Sequence, residues 1–266
     1  MRMIKTILIA SFLWCAPALP AVADPFVPSA GHGTLNVYLS NIYADRAFSQ
    51  TFGAATAPSH TSVLEHRLQL TGERGLSRRW ALHFDLRIAT ITKIKKHLTT
   101  TATGLEDQQI AIVRRLGTDP TFAQAVALNI VLPTGAHSAP GPNLGDGQFA
   151  LEPQYQVVKR GKNASYTVLT VGPRFYTGDG GTQLRADGAL GRRLSRALSG
   201  KLTLFYSTTL GAKHSTTVLE HNVFRAGIWI RANGHRVRPE IGYERDLAGS
   251  SRLAQQRLNF AVDVRY

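Results

Sequence analysis

The 266-residue chain has one cysteine, Cys15, and only two methionines and three tryptophans. A lone cysteine excludes a disulfide scaffold and a zinc–thiolate site, since either needs at least two. Acidic residues are few, 17 against 31 Lys and Arg, which gives a formal charge of +14. Charged residues of both signs make up 18% of the chain, below the roughly 25% of an average soluble protein. Beyond residue 23 no apolar run reaches the roughly 18 residues of a transmembrane helix, and no long window repeats apolar residues at helical spacing. The chain is therefore not a helical membrane protein. Its 43% hydrophobic content also excludes a disordered basic tail.

What is present begins with a targeting segment. Arg2 and Lys5 precede an apolar stretch from Ile7 to Trp14, and Ala21-Val22-Ala23 is a small-residue cleavage pattern. Residues 1–23 are read as a secretory signal peptide. Its removal takes away Cys15 and two positive charges, leaving +12. An exported chain is not a genomic DNA binder, so nucleic acid is excluded as a partner.

From residue 34 onward, apolar residues alternate with small or polar ones. Trp80, Leu82, Phe84, Leu86 and Ile88 alternate with Ala81, His83, Asp85 and Arg87. Leu258, Phe260, Val262, Val264 and Tyr266 do the same against Asn259, Ala261, Asp263 and Arg265. Twelve such segments span roughly 34–46, 62–73, 80–92, 105–115, 121–132, 147–158, 164–176, 183–193, 201–210, 221–231, 236–245 and 252–266. Each approaches or exceeds the about 9–11 residues that cross a bilayer as a tilted strand. The odd connections are about 15, 12, 14, 6, 10 and 6 residues long, and the even ones about 6, 5, 5, 7 and 4. This pattern predicts an all-β fold: a transmembrane antiparallel barrel over residues 34–266, preceded by a short periplasmic segment at 24–33. Both termini are expected in the periplasm, with the longer connections outside. A secreted β-sandwich is the competing reading, but it has no reason to sort its loops in alternation.

If the apolar face meets lipid, the inward set follows by parity. It holds Glu65, Arg67, Asp85, Arg87, Glu152, Gln154, Arg174, Tyr176, Arg185, Asp187, Arg225, Arg231, Arg238, Glu240, Asn259 and Asp263. Asp85, Arg87, Glu152, Arg174, Arg185, Asp187, Arg225 and Glu240 are the candidate pore-lining and selectivity residues. Two readings of this belt stand side by side: a ladder of ion pairs that braces the wall, and a ring that screens solutes. The surplus of arginine suggests a preference for anionic or carboxylate-bearing solutes. Arg78-Arg79, Lys159-Arg160 and Arg192-Arg193 fall at expected periplasmic tips, and Lys93, Lys95, Lys96 and His97 at an outer one. Solvated tips beside lipid head groups account for both, with a lipopolysaccharide site at 93–97 as the sharper alternative. Trp80, Tyr155, Phe175, Tyr243 and Tyr266 are candidates for interfacial girdles.

Catalytic constellations are sparse. His60-Thr61-Ser62 with Glu65 nearby is the best of them, His137-Ser138 are adjacent and so diverge on a strand, and the nine histidines show no metal-ligand spacing. No catalytic residue, metal or cofactor is assigned. Asn163-Ala164-Ser165 matches a glycosylation sequon by pattern only.

Three central pieces carry a family resemblance. Gly104-Leu105-Glu106-Asp107 opens a strand, Leu132-Pro133-Thr134-Gly135 closes one, and Pro142-Asn143-Leu144-Gly145-Asp146-Gly147-Gln148 opens another. This order resembles the outer-membrane transporter family labelled MetA-pathway of phenol degradation, which shares a Gly-rich strand start, a PTG turn and a later LG-G turn. Gly75-Leu76-Ser77 before Trp80 also fits. The resemblance covers most of the mature chain and is strongest over 74–212; it departs at Glu106, where the family usually has glycine. It implies a barrel and uptake of hydrophobic or aromatic compounds, and it supplies no catalytic residues. The 133–146 connection reads either as a turn-rich structural loop or as a segment folded inward over the pore.

The expected function is an outer-membrane channel passing small, aromatic or anionic, solutes by diffusion. Its expected partners are outer-membrane lipids including lipopolysaccharide, the solute itself, and the outer-membrane assembly machinery through the C-terminal strand. The alternative is a non-transport surface barrel, or one that modifies lipid A or phospholipid. A barrel of about this size is largely filled by side chains, because wide aqueous channels belong to barrels of about 16–18 strands.

Overall fold

The computed structural model describes residues 28–49, 51–55, 57–117, 119, 121–135, 142–161, 164–177, 181–210, 222–234, 236–250 and 252–266. The expected signal segment 1–23, residues 24–27 of the expected 24–33 segment, His137-Ser138 and Asn163 lie outside the described residues. Thirteen strands follow in order: β1 (Gly33–Ala47), β2 (Ala57–Gly75), β3 (Trp80–Lys95), β4 (Leu98–Leu105), β5 (Gln108–Arg115), β6 (Phe122–Leu132), β7 (Ala150–Arg160), β8 (Tyr166–Tyr176), β9 (Thr182–Arg193), β10 (Leu198–Leu210), β11 (Asn222–Ala232), β12 (Val237–Ser250) and β13 (Leu253–Arg265).

Every pairing is antiparallel, and β1 pairs with β13, so the sheet closes on itself. Closure leaves no ladder edge at the seam: Gly33 and Tyr266 exchange backbone bonds of 3.0 and 3.1 Å there. The thirteen strands make twelve staves, because β4 and β5 are two halves of one wall element. The upper part of β3 pairs with β4, Ile88 opposite Leu105, and the lower part with β5, Asp85 opposite Gln109. The break falls at Glu106 and Asp107. There the Gln108 side chain replaces the missing ladder: Arg87 N–H donates to its Oε1 at 2.8 Å, and its Nε2 donates to the Arg87 carbonyl at 2.9 Å. A side-chain amide can do this because it carries the same donor and acceptor as a peptide. Satisfying these groups internally matters because lipid offers no replacement.

Bulky apolar side chains face outward on every stave, Leu82, Leu86 and Ile88 on β3 and Leu258, Phe260 and Val262 on β13 among them. All sixteen residues of the expected inward set face the lumen side. One inward stretch is not polar: Ala81, Val113, Ala123, Ala125, Ala127 and Val158 form a buried apolar cluster on the inner wall of β3 to β7. Small side chains there leave volume for long side chains arriving from across the barrel.

The described chain begins, at residue 28, and ends, at Tyr266, at the same end of the barrel, here called the near end; the opposite end is the far end. The connections 48–56, 133–149 and 211–221 are the long ones, and all three lie at the far end. The expected 12-residue connection after the third segment is mostly strand instead. β3 continues to Lys95, turns on Lys96 and His97, and returns as β4, with Lys96 at a φ of +56°. Outward threonines line this hairpin, Thr90 with Thr103 at 3.0 Å and Thr92 with Thr101 at 3.2 Å. A polar, Thr-rich segment reads as a loop by composition, yet Thr is β-branched and pairs well across strands. The last far-end connection is also short, residues 251–252 only. Of the five proposed girdle aromatics, Trp80 and Tyr266 lie at the near end and Phe175 at the far end. Tyr155 and Tyr243 sit midway along β7 and β12, with their hydroxyls on Gln124 and Gln256.

Candidate functional site

Each stave delivers its charged residues to the lumen by strand parity, but the eight proposed residues do not form one ring. Arg87 pairs with Asp85 on its own strand, and Gln69 Nε2 also donates to Asp85 at 2.9 Å. Arg174 binds Glu152 at 2.6 Å, with Arg185 at 3.6 Å from the same carboxylate. Arg225 binds Asp246 at 2.7 Å, and Arg252 reaches that carboxylate at 3.2 Å. Glu240 lies nearer the termini, with Lys201 at 3.1 Å and Arg231 at 3.5 Å. Glu240 therefore leaves the proposed mid-height belt.

These pairs are layered in depth. The Arg87 side chain is 27% exposed and Asp85 8%; Arg185 is 17% exposed and Glu152 2%. The same order holds for Arg67 over Glu65, Lys201 over Glu240 and Arg225 over Asp246; Arg238 with Asp263 is the exception. A short carboxylate stays against the backbone, and the longer guanidinium reaches past it into the lumen. The cation is thus the more exposed partner in these pairs.

The far half of the barrel encloses a cavity of about 1090 Å³. Nine Lys or Arg and six Asp or Glu residues line it. Arg87, Arg174, Arg185, Asp187 and Arg225 are among them; Asp85, Glu152 and Glu240 are not. Lys93 and Lys95 also line it, so two of the basic residues proposed for lipopolysaccharide turn toward the lumen instead. Within the wall, Phe205 lies between two guanidinium groups, 5.1 Å from Arg185 and 5.3 Å from Arg225. Phe205, Asp246 and Arg252 were not among the proposed residues. Phe205 was available by parity but is apolar, Asp246 falls just outside the expected strand 236–245, and Arg252, first residue of the expected 252–266 strand, has the parity of the outward Leu258 and Phe260.

The three motif pieces meet at one point. The Asp107 carboxylate accepts N–H groups from Gly135 at 3.0 Å, Asp146 at 2.6 Å and Gly147 at 3.3 Å. Thr134 Oγ1 donates to the Glu106 carbonyl at 2.6 Å and accepts the Gln108 N–H at 3.2 Å. A Cβ on Gly145 would sit 2.5 Å from the Asp107 carboxyl, and one on Gly135 would sit 2.9 Å from Gly145. Only glycine permits that approach. From this anchor Leu144 projects inward and is buried on Ala89, Ile91 and Ala102. Tyr176 donates to Asp146 at 3.2 Å and fixes the other side of the loop. The 142–147 segment therefore folds into the lumen, and its motif residues serve both as structure and as pore wall.

The β7–β8 seam shows why one ion pair is where it is. Register pairing lapses between Leu151–Phe175 and Tyr155–Val171, where Pro153 and Pro173 supply no N–H donors. Glu152 and Arg174 bridge the same gap on the inner face.

Below the cavity the lumen is occupied. Tyr38 and Trp229 meet edge to face at 6.3 Å between centroids, and Lys201 Nζ lies 4.5 Å over the indole. His60 and Ser62 share the outward parity of β2 while Glu65 points inward, so that triplet does not assemble.

No family model and no curated protein matches the chain. Solved structures do. An outer membrane channel from Pseudomonas putida F1 is similar with a TM-score of 0.71 at 14% identity, over 94% of this chain and 100% of that one. The NanC porin gives 0.54 at 10% identity over 87% and 100%, and the KdgM porin 0.53 at 8% over 87% and 99%. At such identities the likeness is one of fold, and with the apolar exterior and closed ladder it makes this chain a twelve-stave outer-membrane β-barrel.

Proposed function

We propose that the protein is a passive outer-membrane channel for small anionic solutes, aromatic acids among them, with the far end outside and the termini in the periplasm. The observation that carries this reading is the order of exposure in the lumen ion pairs: among the described pairs the cation is the more exposed partner in all but Arg238–Asp263, and nine Lys or Arg line the cavity against six Asp or Glu. Lys93 and Lys95 at the mouth extend the same sign toward the far end and steer anions inward. Transport has no bond-making step, and the proposed residues act by charge and position alone. The similar structures, an outer membrane channel and two porins, support this class of function.

The test is the reversal potential of purified protein in planar bilayers under a salt gradient. The wild type is expected to favour anions. Arg87→Glu combined with Lys93→Glu and Lys95→Glu should lower or invert that preference, most strongly at low ionic strength where screening is weak. These residues are chosen because Arg225 and Arg174 are too buried to invert without unfolding. An unchanged reversal potential would remove the lumen charges from the mechanism.

A further inference from the structure

We propose that Trp229 sets the size limit for passage, as the movable element of a side-chain floor between the cavity and the near end. The proposal rests on the channel reading and assigns the narrowest point to a residue that reading does not use.

The cavity reaches down to Gln69, Thr203, Glu244 and Arg257, and its lining includes neither Tyr38, Lys201 nor Trp229. Those three form the layer beneath. Trp229 is buried although it lies on the inner wall of a barrel. Its place is made by a small neighbour: Gly242 is its register partner on β12, and a Cβ there would lie 2.2 Å from the indole Cδ2. The ring therefore lies flat across the next strand and reaches toward Tyr38. Tyr38 is on β1, three staves from β11 around the wall, and its own register partner is the small Ala261. Two aromatic rings thus meet over the inner side of β12 and β13, whose inward residues at this level are glycine and alanine.

The layer is held by weak, reversible contacts. Trp229 Nε1 donates to Thr203 Oγ1 at a long 3.3 Å. Lys201 covers the indole face and is itself tied to Glu240 at 3.1 Å. No ladder bond depends on the indole, so its rotation leaves the wall intact. Rotation away from Gly242 opens a path from the cavity past β11 and β12. The inward-folded 142–147 segment narrows the far half, but it lies beside the 1090 Å³ cavity rather than beneath it. The floor, not that loop, is the tighter passage.

The experiment uses the full mature chain in planar bilayers and in liposome swelling with uncharged sugars of graded size. Trp229→Ala should raise unitary conductance severalfold and admit larger sugars, while Leu258→Ala, on the lipid-facing side of β13, leaves the size limit unchanged. Trp229→Cys introduces a thiol into a chain whose only cysteine, Cys15, lies in the signal segment. A charged methanethiosulfonate reagent should then suppress most of the current of that variant and none of the wild type's. A Trp229→Ala channel with wild-type conductance and size limit overturns the proposal while the channel reading stands. So does a Trp229→Cys current indifferent to the reagent, or a size limit that moves as much with Leu258→Ala. If wild type, Trp229→Ala and Leu258→Ala all migrate as folded barrels and none conducts, the channel reading fails and this proposal falls with it.

Discussion

Replacing Asp107 by alanine tests how the central motifs work. The carboxylate holds two short N–H bonds, from Gly135 and Asp146, and a longer one from Gly147. A hydrogen bond to a charged group contributes about 1.5–3 kcal/mol. The two short bonds therefore give about 3–6 kcal/mol, and rehydration with renewed loop freedom returns part of that. A net loss of about 2–4 kcal/mol lowers the occupancy of the inward loop relative to released states by roughly 30- to 1000-fold. Leu144 still contributes about 1.5–3 kcal/mol by burial, so the loop exchanges between positions instead of leaving for good. The expected record in a planar bilayer is a noisier current, with added partly closed levels as the loop moves through the cavity. Barrel stability, read from heat-dependent gel migration, changes little, because no inter-strand ladder bond uses the Asp107 side chain. Asp107→Asn, with one carbonyl oxygen and half the acceptor capacity, should fall between. A variant whose current record superimposes on the wild type would show that Asp107 does not hold the loop, and the account of the three motifs would fail.

Three further outcomes follow from the wall. Glu152→Ala strands Arg174 in the β7–β8 seam without its carboxylate, at a cost of about 3–5 kcal/mol; the Glu152→Ala, Arg174→Ala double variant should lose less, and a double variant at least as unstable in gel-shift melting would contradict the pairing. Gln108→Ala leaves the Arg87 N–H unsatisfied where the stave breaks, its carbonyl keeping only the Glu106 N–H at 3.0 Å, at a cost of about 1–3 kcal/mol, and Gln108→Asn, one methylene short, should not restore it; full stability of either variant refutes the surrogate ladder. At the near-end turn into β6, the N–H and hydroxyl of Thr121 hold the Asp119 carboxyl below its ordinary value. Because the folded form has the lower pKa, the turn's stabilisation is complete above the unfolded value of about 3.9 and fades as pH falls through the folded one; in an NMR titration Thr121→Ala should move the midpoint upward, and an unmoved midpoint would exclude that bond as the cause.

Much of the architecture was legible because strand parity has a period of two. Once Leu82, Leu86 and Ile88 were placed toward lipid, Asp85 and Arg87 had to face the lumen, and the structure puts them there. Parity says nothing about depth. That Arg185 overlies Glu152 depends on two neighbouring staves and on the reach of each side chain. The β3–β4 hairpin was missed because Lys93, Lys95 and a run of threonines carry the composition of a loop while forming ladder pairs. Trp229 shares the inward parity of Arg225 and Arg231, and Gly242 that of Glu240. Both signals were present, but only the register makes them partners.

The sequence by itself determined the alternating strands, the closed wall and which residues turn inward, since each follows from local periodicity and from the lack of hydrogen-bond partners in lipid. Only the tertiary structure decided what the lumen does. It drew Asp107 onto the backbone of a loop nearly forty residues away, set cations in front of carboxylates, and laid Trp229 across the space left by Gly242. These are contacts between segments distant in sequence, and their geometry is fixed by register and by side-chain length across a closed barrel.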